Sequence, residues 1–578
     1  MPSENADELD KEQEEIVNAT ASALAVYAGP GSGKTRTLVH RAAALLRRDT
    51  GSSALLLTFT NKAAAEMKRR SVSVATTSLD RIMSYNFHAF GHHLLLAHGS
   101  DVGIHADFEV IDGEEQLSLA AEVASRASFG NRLELWRKAR LKRLEPDRHT
   151  AAFGAAFEAK KRSLGVVDFD DLVVYSELLL RTRPEVASAY ATHFRHVLVD
   201  EFQDTNPAQL SIVESLATEA ATITVFADDD QAIFAFQHAE SANLRRFLHD
   251  TGAEPVSLSR NHRSARAIVE CANRLIACDP GSSGRRMTPV REGGLVRWHV
   301  SESAAREAEA IAAEIATAVA LGEDPASIAV IARLRLRLDC VVEALRRVRV
   351  AVTDWRGDAF GPDERRAVSS VLAVIRGTVR DSHARRLARF ANLSEVPEPR
   401  SSEAFLTACG GGAFVDSLRQ IRSSAHGGAG SVEIVDLAVC ALAATVPSLE
   451  LGLREIARHV RLFQDSDPAF SLDHLLADLA IGSGGRGPET GGGVRVATIH
   501  GTKGLEWRRV YVVGLEEGTL PDYHAASEAE ISDERRLFFV GICRCREELT
   551  VSRVERSAEG WSRERSRFWD EARVGARA

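Results

Sequence analysis

Residues 24–37 read Leu24-Ala25-Val26-Tyr27-Ala28-Gly29-Pro30-Gly31-Ser32-Gly33-Lys34-Thr35-Arg36-Thr37. A short apolar run feeds a glycine-rich turn, and a helix-forming stretch over 38–47 follows. This is the strand–loop–helix context of a phosphate-binding P-loop. Ala28, Gly29, Gly31, Ser32 and Gly33 form the loop, where glycine lets backbone N–H groups converge on phosphate oxygens. The following helix turns its positive end toward them. Lys34 is the candidate for the β- and γ-phosphates, and Thr35 places a hydroxyl for Mg²⁺. The strict pattern begins with Gly, and here that position is Ala28.

Working outward, the 578-residue chain has room for roughly four ordinary domains. Its hydrophobic content of 44% is that of a globular chain. No apolar run approaches the ~20 residues of a membrane span, and the acidic start of the chain does not read as a secretory signal. The seven cysteines form no CxxC pair, so free thiols in a reducing, cytoplasmic setting are expected. A net charge of −9 does not advertise a nucleic-acid binder, although a local basic track suffices to hold phosphates.

Upstream of the loop, Leu9-Asp10-Lys11-Glu12-Gln13 carries an amide, Gln13, able to read an adenine edge. Downstream, 54–59 is a second buried strand running into Thr60-Asn61-Lys62, a capped helix start. Its end, and Tyr85-Asn86-Phe87-His88, have the mixed polar and aromatic character of a ledge for bases. Residues 91–164 read as a helical insert without buried strands. Its basic run, Arg137-Lys138-Ala139-Arg140-Leu141-Lys142-Arg143, reads either as a solvated helix face or as a DNA-facing one.

A third strand, 197–199, ends in Asp200-Glu201. In an open α/β sheet, that is the end at which ligands bind. Asp200 suits Mg²⁺ and Glu201 suits a base that activates water. A fourth strand, 221–227, ends in Asp228-Asp229-Asp230-Gln231, with Phe234 and Phe236 close behind. Gln231 is placed to sense a γ-phosphate. Asn261-His262-Arg263-Ser264 supplies a compact cationic element, and 279–284 reads as a flexible hinge. The second half repeats the α/β pattern at 295–300, 327–332, 494–498 and 510–513. A helical stretch over 379–486 interrupts it.

In this order the motifs resemble those of the UvrD/Rep-type helicases of superfamily 1. The series continues through Thr498-Ile499-His500-Gly501-Thr502-Lys503-Gly504-Leu505-Glu506 and Glu534-Arg535-Arg536-Leu537-Phe538-Phe539-Val540-Gly541-Ile542-Cys543-Arg544. The resemblance implies an α/β fold of two RecA-like parallel-sheet motor domains, each interrupted by a helical insertion subdomain. The expected division is 1–90 with 165–280 for the first motor domain and 91–164 for its insert. Residues 281–378 with 487–578 make the second, and 379–486 its insert.

The resemblance also implies ATP and Mg²⁺ as ligands and 3′→5′ movement on single-stranded DNA or 3′-tailed duplex DNA, in repair or recombination. Protein partners would dock through 379–486. Arg263 and Arg544 match the arginines that reach the γ-phosphate, and Gln231 the residue that couples it to DNA. Gln13, Arg36, His262 and Glu506 match positions that line the nucleotide. Phe59, Thr60, Asn61, His88, Phe236 and His500 match the DNA-facing side.

The chain departs from the family pattern at Phe234, Phe236 and Gln237, at His262 where Tyr is common, and at Gly501-Thr502. These departures touch unwinding more than hydrolysis. They keep a second expectation open, an ATPase motor subunit of a nuclease or phage-defence complex with weak unwinding alone. The segment after Arg544 carries no acid-rich nuclease pattern, so a fused nuclease is not expected.

Overall fold

The computed structural model describes residues 9–74, 79–105, 108–124, 129–217, 222–233, 242–353, 362–377, 379, 381–393, 395, 401–466, 472, 475, 492–557 and 560–575. Its strands are β1 (Ala23–Ala28), β2 (Ala54–Thr58), β3 (Ile82–Asn86), β4 (Glu109–Val110), β5 (Val166–Val167), β6 (His196–Val199), β7 (Thr222–Ala227) and β8 (Glu254–Leu258). They continue as β9 (Arg260–Ala265), β10 (Thr288–Arg291), β11 (Leu295–Ser301), β12 (Ile328–Ala332), β13 (Val352–Thr353), β14 (Val494–Thr498), β15 (Trp507–Val513) and β16 (Cys545–Val554).

Two six-stranded, all-parallel sheets organise the chain. The first has the order β3-β2-β6-β7-β1-β8 and the second β11-β16-β15-β12-β14-β13. Parallel sheets are covered on both faces, so their inner strands are apolar throughout rather than alternating. Accordingly, every residue of β2, β6 and β12 is buried. Core clusters lie on both faces of the first sheet, around Leu55, Val199 and Phe202 on one side and Leu24, Leu38 and Phe226 on the other. These are the two RecA-like sheets that the sequence predicts.

The boundaries differ from the expectation in places. Helix Arg266–Ile276 puts Ile268, Val269 and Leu275 into the core of the second sheet, alongside Phe538 and Trp569. The chain therefore crosses over at β9, before the expected boundary at 280. The segment read as a hinge is also tied down. Asp279 is buried against Arg536, 3.1 Å away, and the Ser532 hydroxyl, while Ser283 donates to Asp230. Helix Pro362–Arg376 packs through Val368, Val371 and Leu372 with the helices of 401–466, so that cluster starts earlier than 379.

The first helical insert has its own small core of Ala120, Leu133, Phe153 and Phe157. It is not strand-free, because β4 pairs with β5 at its base. Two residues per strand are too few to leave a sequence period. Its basic run answers to neither expected reading at Arg137 and Arg140. Arg137 Nε lies 2.6 Å from Asp170 Oδ2, and Arg140 lies 2.5 Å from Asp171 Oδ1 and 3.1 Å from Glu158. These arginines clamp the insert to the start of helix Phe169–Thr182, where Lys161 also meets Asp168 and Asp171. No described helix is long and apolar enough to cross a membrane.

Candidate nucleotide site and nucleic-acid face

The P-loop leaves the carboxyl end of β1, between β7 and β8. Its turn is set by two residues in the left-handed region, Gly31 (φ +71°) and Gly33 (φ +79°). A Cβ on Gly31 would stand 2.7 Å from Arg263 Cβ, and one on Gly33 would stand 2.5 Å from Gln13 Nε2. Position 31 therefore requires glycine for space as well as for backbone angle, and position 33 for its backbone angle. Ala28, the odd residue of the pattern, is the buried last residue of β1, where a methyl fits the core. Helix Lys34–Arg48 starts at Gly33, and no side chain caps it. Its first N–H groups thus face the loop, as an anion site needs. Ser32 Oγ and Arg36 Nη2 are buried and meet no hydrogen-bond partner among the described residues. Donors left unpaired in a glycine-built cradle fit a polyphosphate.

Opposite the loop stand the acids. Asp200 follows β6 and its N–H donates to Leu57 O at 2.8 Å. Glu201 then takes φ +52°, a conformation uncommon for a residue with a Cβ. Lys34 Nζ sits 2.5 Å from Glu201 Oε1 and 3.4 Å from Asp200 Oδ1. Burial works against the Lys34 ammonium, but the two carboxylates outweigh it and hold its pKa above the ordinary lysine value. Burial likewise raises Asp200. At Glu201 burial is overcome by Lys34 and Lys503, so this carboxyl stays ionised. Gln203 bridges to the next strand, donating to Glu201 Oε2 at 2.6 Å and accepting from Asp228 N at 3.0 Å. Burial, with Asp230 nearby, pushes Asp228 up to about 7, and Gln231 Nε2 donates to it at 2.6 Å.

From the second sheet, Arg544 enters between helix Glu528–Ile542 and β16. Only 2% exposed, it donates to Gln231 Oε1 at 3.1 Å, to Val540 O at 3.0 Å and to Leu505 O at 3.2 Å. Burial and the neighbouring Arg263 lower its pKa to about 10, so the guanidinium keeps its charge. Arg263, on β9, pairs with Glu506 and donates to Cys543 O at 3.3 Å. Arg546 holds the other Glu506 oxygen. Gln13 is buried, its amide donating to Ser32 O at 2.9 Å and accepting from Asp10 N at 3.2 Å. His262 Nε2 lies 2.7 Å from Asp10 Oδ2, and its backbone N–H donates to Gly31 O.

One edge of this cleft thus gathers Gln13, the P-loop residues through Arg36, Asp200, Glu201, Gln231, His262 and Arg263. Arg544 and Glu506 come from the other sheet. The reading of the sequence missed Lys503, Asp204, Asp228, Asn261 and Asp10. All five lie within or beside the quoted motifs, yet nothing in their spacing announces a partner. Asn261 Oδ1 accepts from Arg263 N and Ser264 N, and Nδ2 donates to Pro30 O, fixing β9 to the P-loop. Arg546 carried no signal at all.

The candidate DNA residues are dispersed. Phe59 is half-buried and Thr60 is exposed, its hydroxyl accepting from Ala63 N at 3.1 Å. His88 lies at the start of helix Phe87–His98, edge-on to Phe169 at 5.9 Å, and burial lowers its pKa. His500 opens the turn after β14. Burial, with Arg333 and Lys503 nearby, pushes its pKa down to about 4, so the ring is neutral at ordinary pH. Phe234, Phe236 and Gln237 lie outside the described residues, as does the side chain of Asn61.

Fold and cleft define a two-sheet P-loop protein of the RecA-like class. The model of the UvrD/REP helicase N-terminal domain matches residues 9–252, and that of the UvrD-like helicase C-terminal domain matches 256–401 and 450–556. The chain belongs to the UvrD-like helicase family. It is 31% identical to ATP-dependent DNA helicase UvrD2 of Mycobacterium tuberculosis (strain ATCC 25618 / H37Rv), over 97% of this chain and 81% of that protein. It is 29% identical to DNA helicase II of Escherichia coli (strain K12), over 95% and 85%. Against ATP-dependent DNA helicase PcrA of Bacillus subtilis (strain 168) the identity is 27%, over 95% and 83%. Residues 402–449 fall between the two stretches matched by the C-terminal model.

Proposed function

We propose that the chain is an ATP-dependent DNA helicase and translocase that moves 3′→5′ on single-stranded DNA, in repair or recombination. The observation that carries the reading is the meeting of side chains from both sheets in one cleft, Arg544 reaching Gln231 beside the P-loop. The names of the relatives, DNA helicase II and ATP-dependent DNA helicase, support it.

In this reading the P-loop N–H groups and Lys34 hold the phosphates of ATP, which draw Lys34 off Glu201. Glu201 then takes the proton of the attacking water, and the hydroxide displaces ADP from the γ-phosphorus. Thr35 and Asp200 would hold Mg²⁺, which neutralises charge on the phosphate oxygens when bound. Arg263 and Arg544 spread their permanent charge over the γ-phosphate through planar forks. Gln231 links that phosphate to the loop leading toward Phe236. Gln13, His262, Arg36 and Glu506 line the nucleotide. Because cations of one sheet and the P-loop of the other share one triphosphate, its loss releases the closed cleft. Phe59, Thr60, Asn61, His88, Phe236 and His500 serve the strand, with bases stacked without sequence preference.

Strand displacement on 3′-tailed and 5′-tailed duplexes tests the reading. Unwinding of the 3′-tailed substrate alone, dependent on ATP, is the expected result. Unwinding of the 5′-tailed substrate overturns the polarity. DNA-stimulated hydrolysis without unwinding favours a motor subunit of a larger assembly.

A further inference from the structure

Lys503 has no role in the mechanism above, yet its side chain is as sheltered in the cleft as that of Lys34, each 11% exposed. It belongs to the second sheet, directly after the turn His500–Thr502 that follows β14. Its Nζ lies 2.5 Å from Asp204 Oδ2, donates to Gln231 O at 2.9 Å and stands 3.7 Å from Glu201 Oε2. All three partners belong to the first sheet's acidic loops. The contact is sheltered, with the side chains of Lys503 and Asp204 only 11% and 0% exposed. The remaining oxygen of Asp204, Oδ1, is buried and meets no hydrogen-bond partner among the described residues. Asp204 is thus committed to this one cation, in a setting where losing it leaves a buried carboxylate unpaired.

The neighbourhood gives the contact a direction. Thr502 N donates to Ile499 O and Lys503 N to His500 O, so backbone hydrogen bonds join Lys503 to the His500 turn. A displacement of His500 moves the Lys503 backbone with it. At the other end, the same Nζ spans Asp204 Oδ2 at 2.5 Å and Glu201 Oε2 at 3.7 Å, so Lys503 ties both carboxylates of the first sheet to the turn of the second.

We propose that Lys503 is the positioning residue through which DNA controls hydrolysis: it restrains Glu201 and Asp204 in the DNA-free cleft and is withdrawn when a strand seats against the His500 turn. The proposal rests on the function given above. Withdrawal leaves Glu201 free to accept a proton from water. The hydroxide forms the new P–O bond as the bond to the ADP oxygen breaks, and the proton passes from Glu201 to solvent.

ATP turnover of the full chain, with and without a saturating thymidine oligonucleotide, tests it in Lys503→Met, Lys503→Arg and Asp204→Asn. Lys503→Met should raise the DNA-free rate about tenfold, about 1.4 kcal/mol in the barrier. It should reduce the stimulation ratio by the same factor with KM for ATP nearly unchanged. Lys503→Arg keeps the cation and should stay close to the unsubstituted chain. Asp204→Asn removes the anchor's charge and should move in the direction of Lys503→Met. A stimulated parent chain whose ratio survives Lys503→Met and Asp204→Asn overturns this inference alone, as does loss of both rates in Lys503→Met. A parent chain with equal rates overturns the functional reading as well.

Discussion

The first sheet meets the cleft with backbone, the P-loop Lys34 and carboxylates, and the second meets it with long cationic side chains reaching in from a helix end and a turn. On the first side, the P-loop and Glu201 are held by local geometry, with positive φ at Gly31, Gly33 and Glu201 and the acids placed by strand ends. On the second side, Arg544 and Lys503 reach in from a helix end and a turn and are fixed only by what they touch. The difference separates two tasks. A site that binds phosphate must be shaped before its ligand arrives, whereas a site that reports on phosphate must be able to let go.

Breaking the first side should have the larger effect. Lys34→Ala should reduce ATP turnover by about four orders of magnitude, since one residue holds both phosphate and the acidic pair. Steady-state phosphate release measures this, with circular dichroism to verify that the fold is retained. Arg544→Ala should follow at about three orders of magnitude in kcat, with nucleotide binding far less affected. Equal losses in binding and turnover would erase the distinction between the two sides.

Those two positions also mark how far the sequence could be read. The P-loop is legible because all its determinants are consecutive, so the pattern of residues 28–35 is the geometry itself. Arg544 is legible only through family resemblance, since its contacts to Leu505 and Gln231 join residues far apart in the chain. The apolar inner strands β2, β6 and β12 stood out, being buried on both faces. Others did not. β8 lies at a sheet edge and carries Pro255, and β16 is broken by Arg546, Glu547 and Glu548. An edge strand tolerates the proline, and the charged start of β16, an inner strand between β11 and β15, interrupts the apolar run that identifies a strand. The crossover at β9 was misplaced because its determinant is where helix Arg266–Ile276 packs, a tertiary choice that composition does not record.

Smaller changes sharpen the comparison. Gly33→Ala forces a Cβ to within 2.5 Å of Gln13 Nε2 at φ +79°. It should weaken nucleotide binding about tenfold and cost on the order of 1–2 kcal/mol in the loop, checked by titration with a fluorescent ATP analogue. The smallest effect concerns His500. Its pKa lies near 4, so the ring stays neutral from pH 6 to 8. The loss in oligonucleotide affinity on His500→Ala should therefore be the same at both pH values. A loss that grows at pH 6 would mean a charged imidazole at the strand.

The central claim, that this cleft spends ATP in response to DNA, is tested most directly by ATP turnover of the unsubstituted chain with and without saturating single-stranded oligonucleotide. The account predicts a rise of at least about tenfold on adding the strand. Equal rates in the two conditions would contradict it.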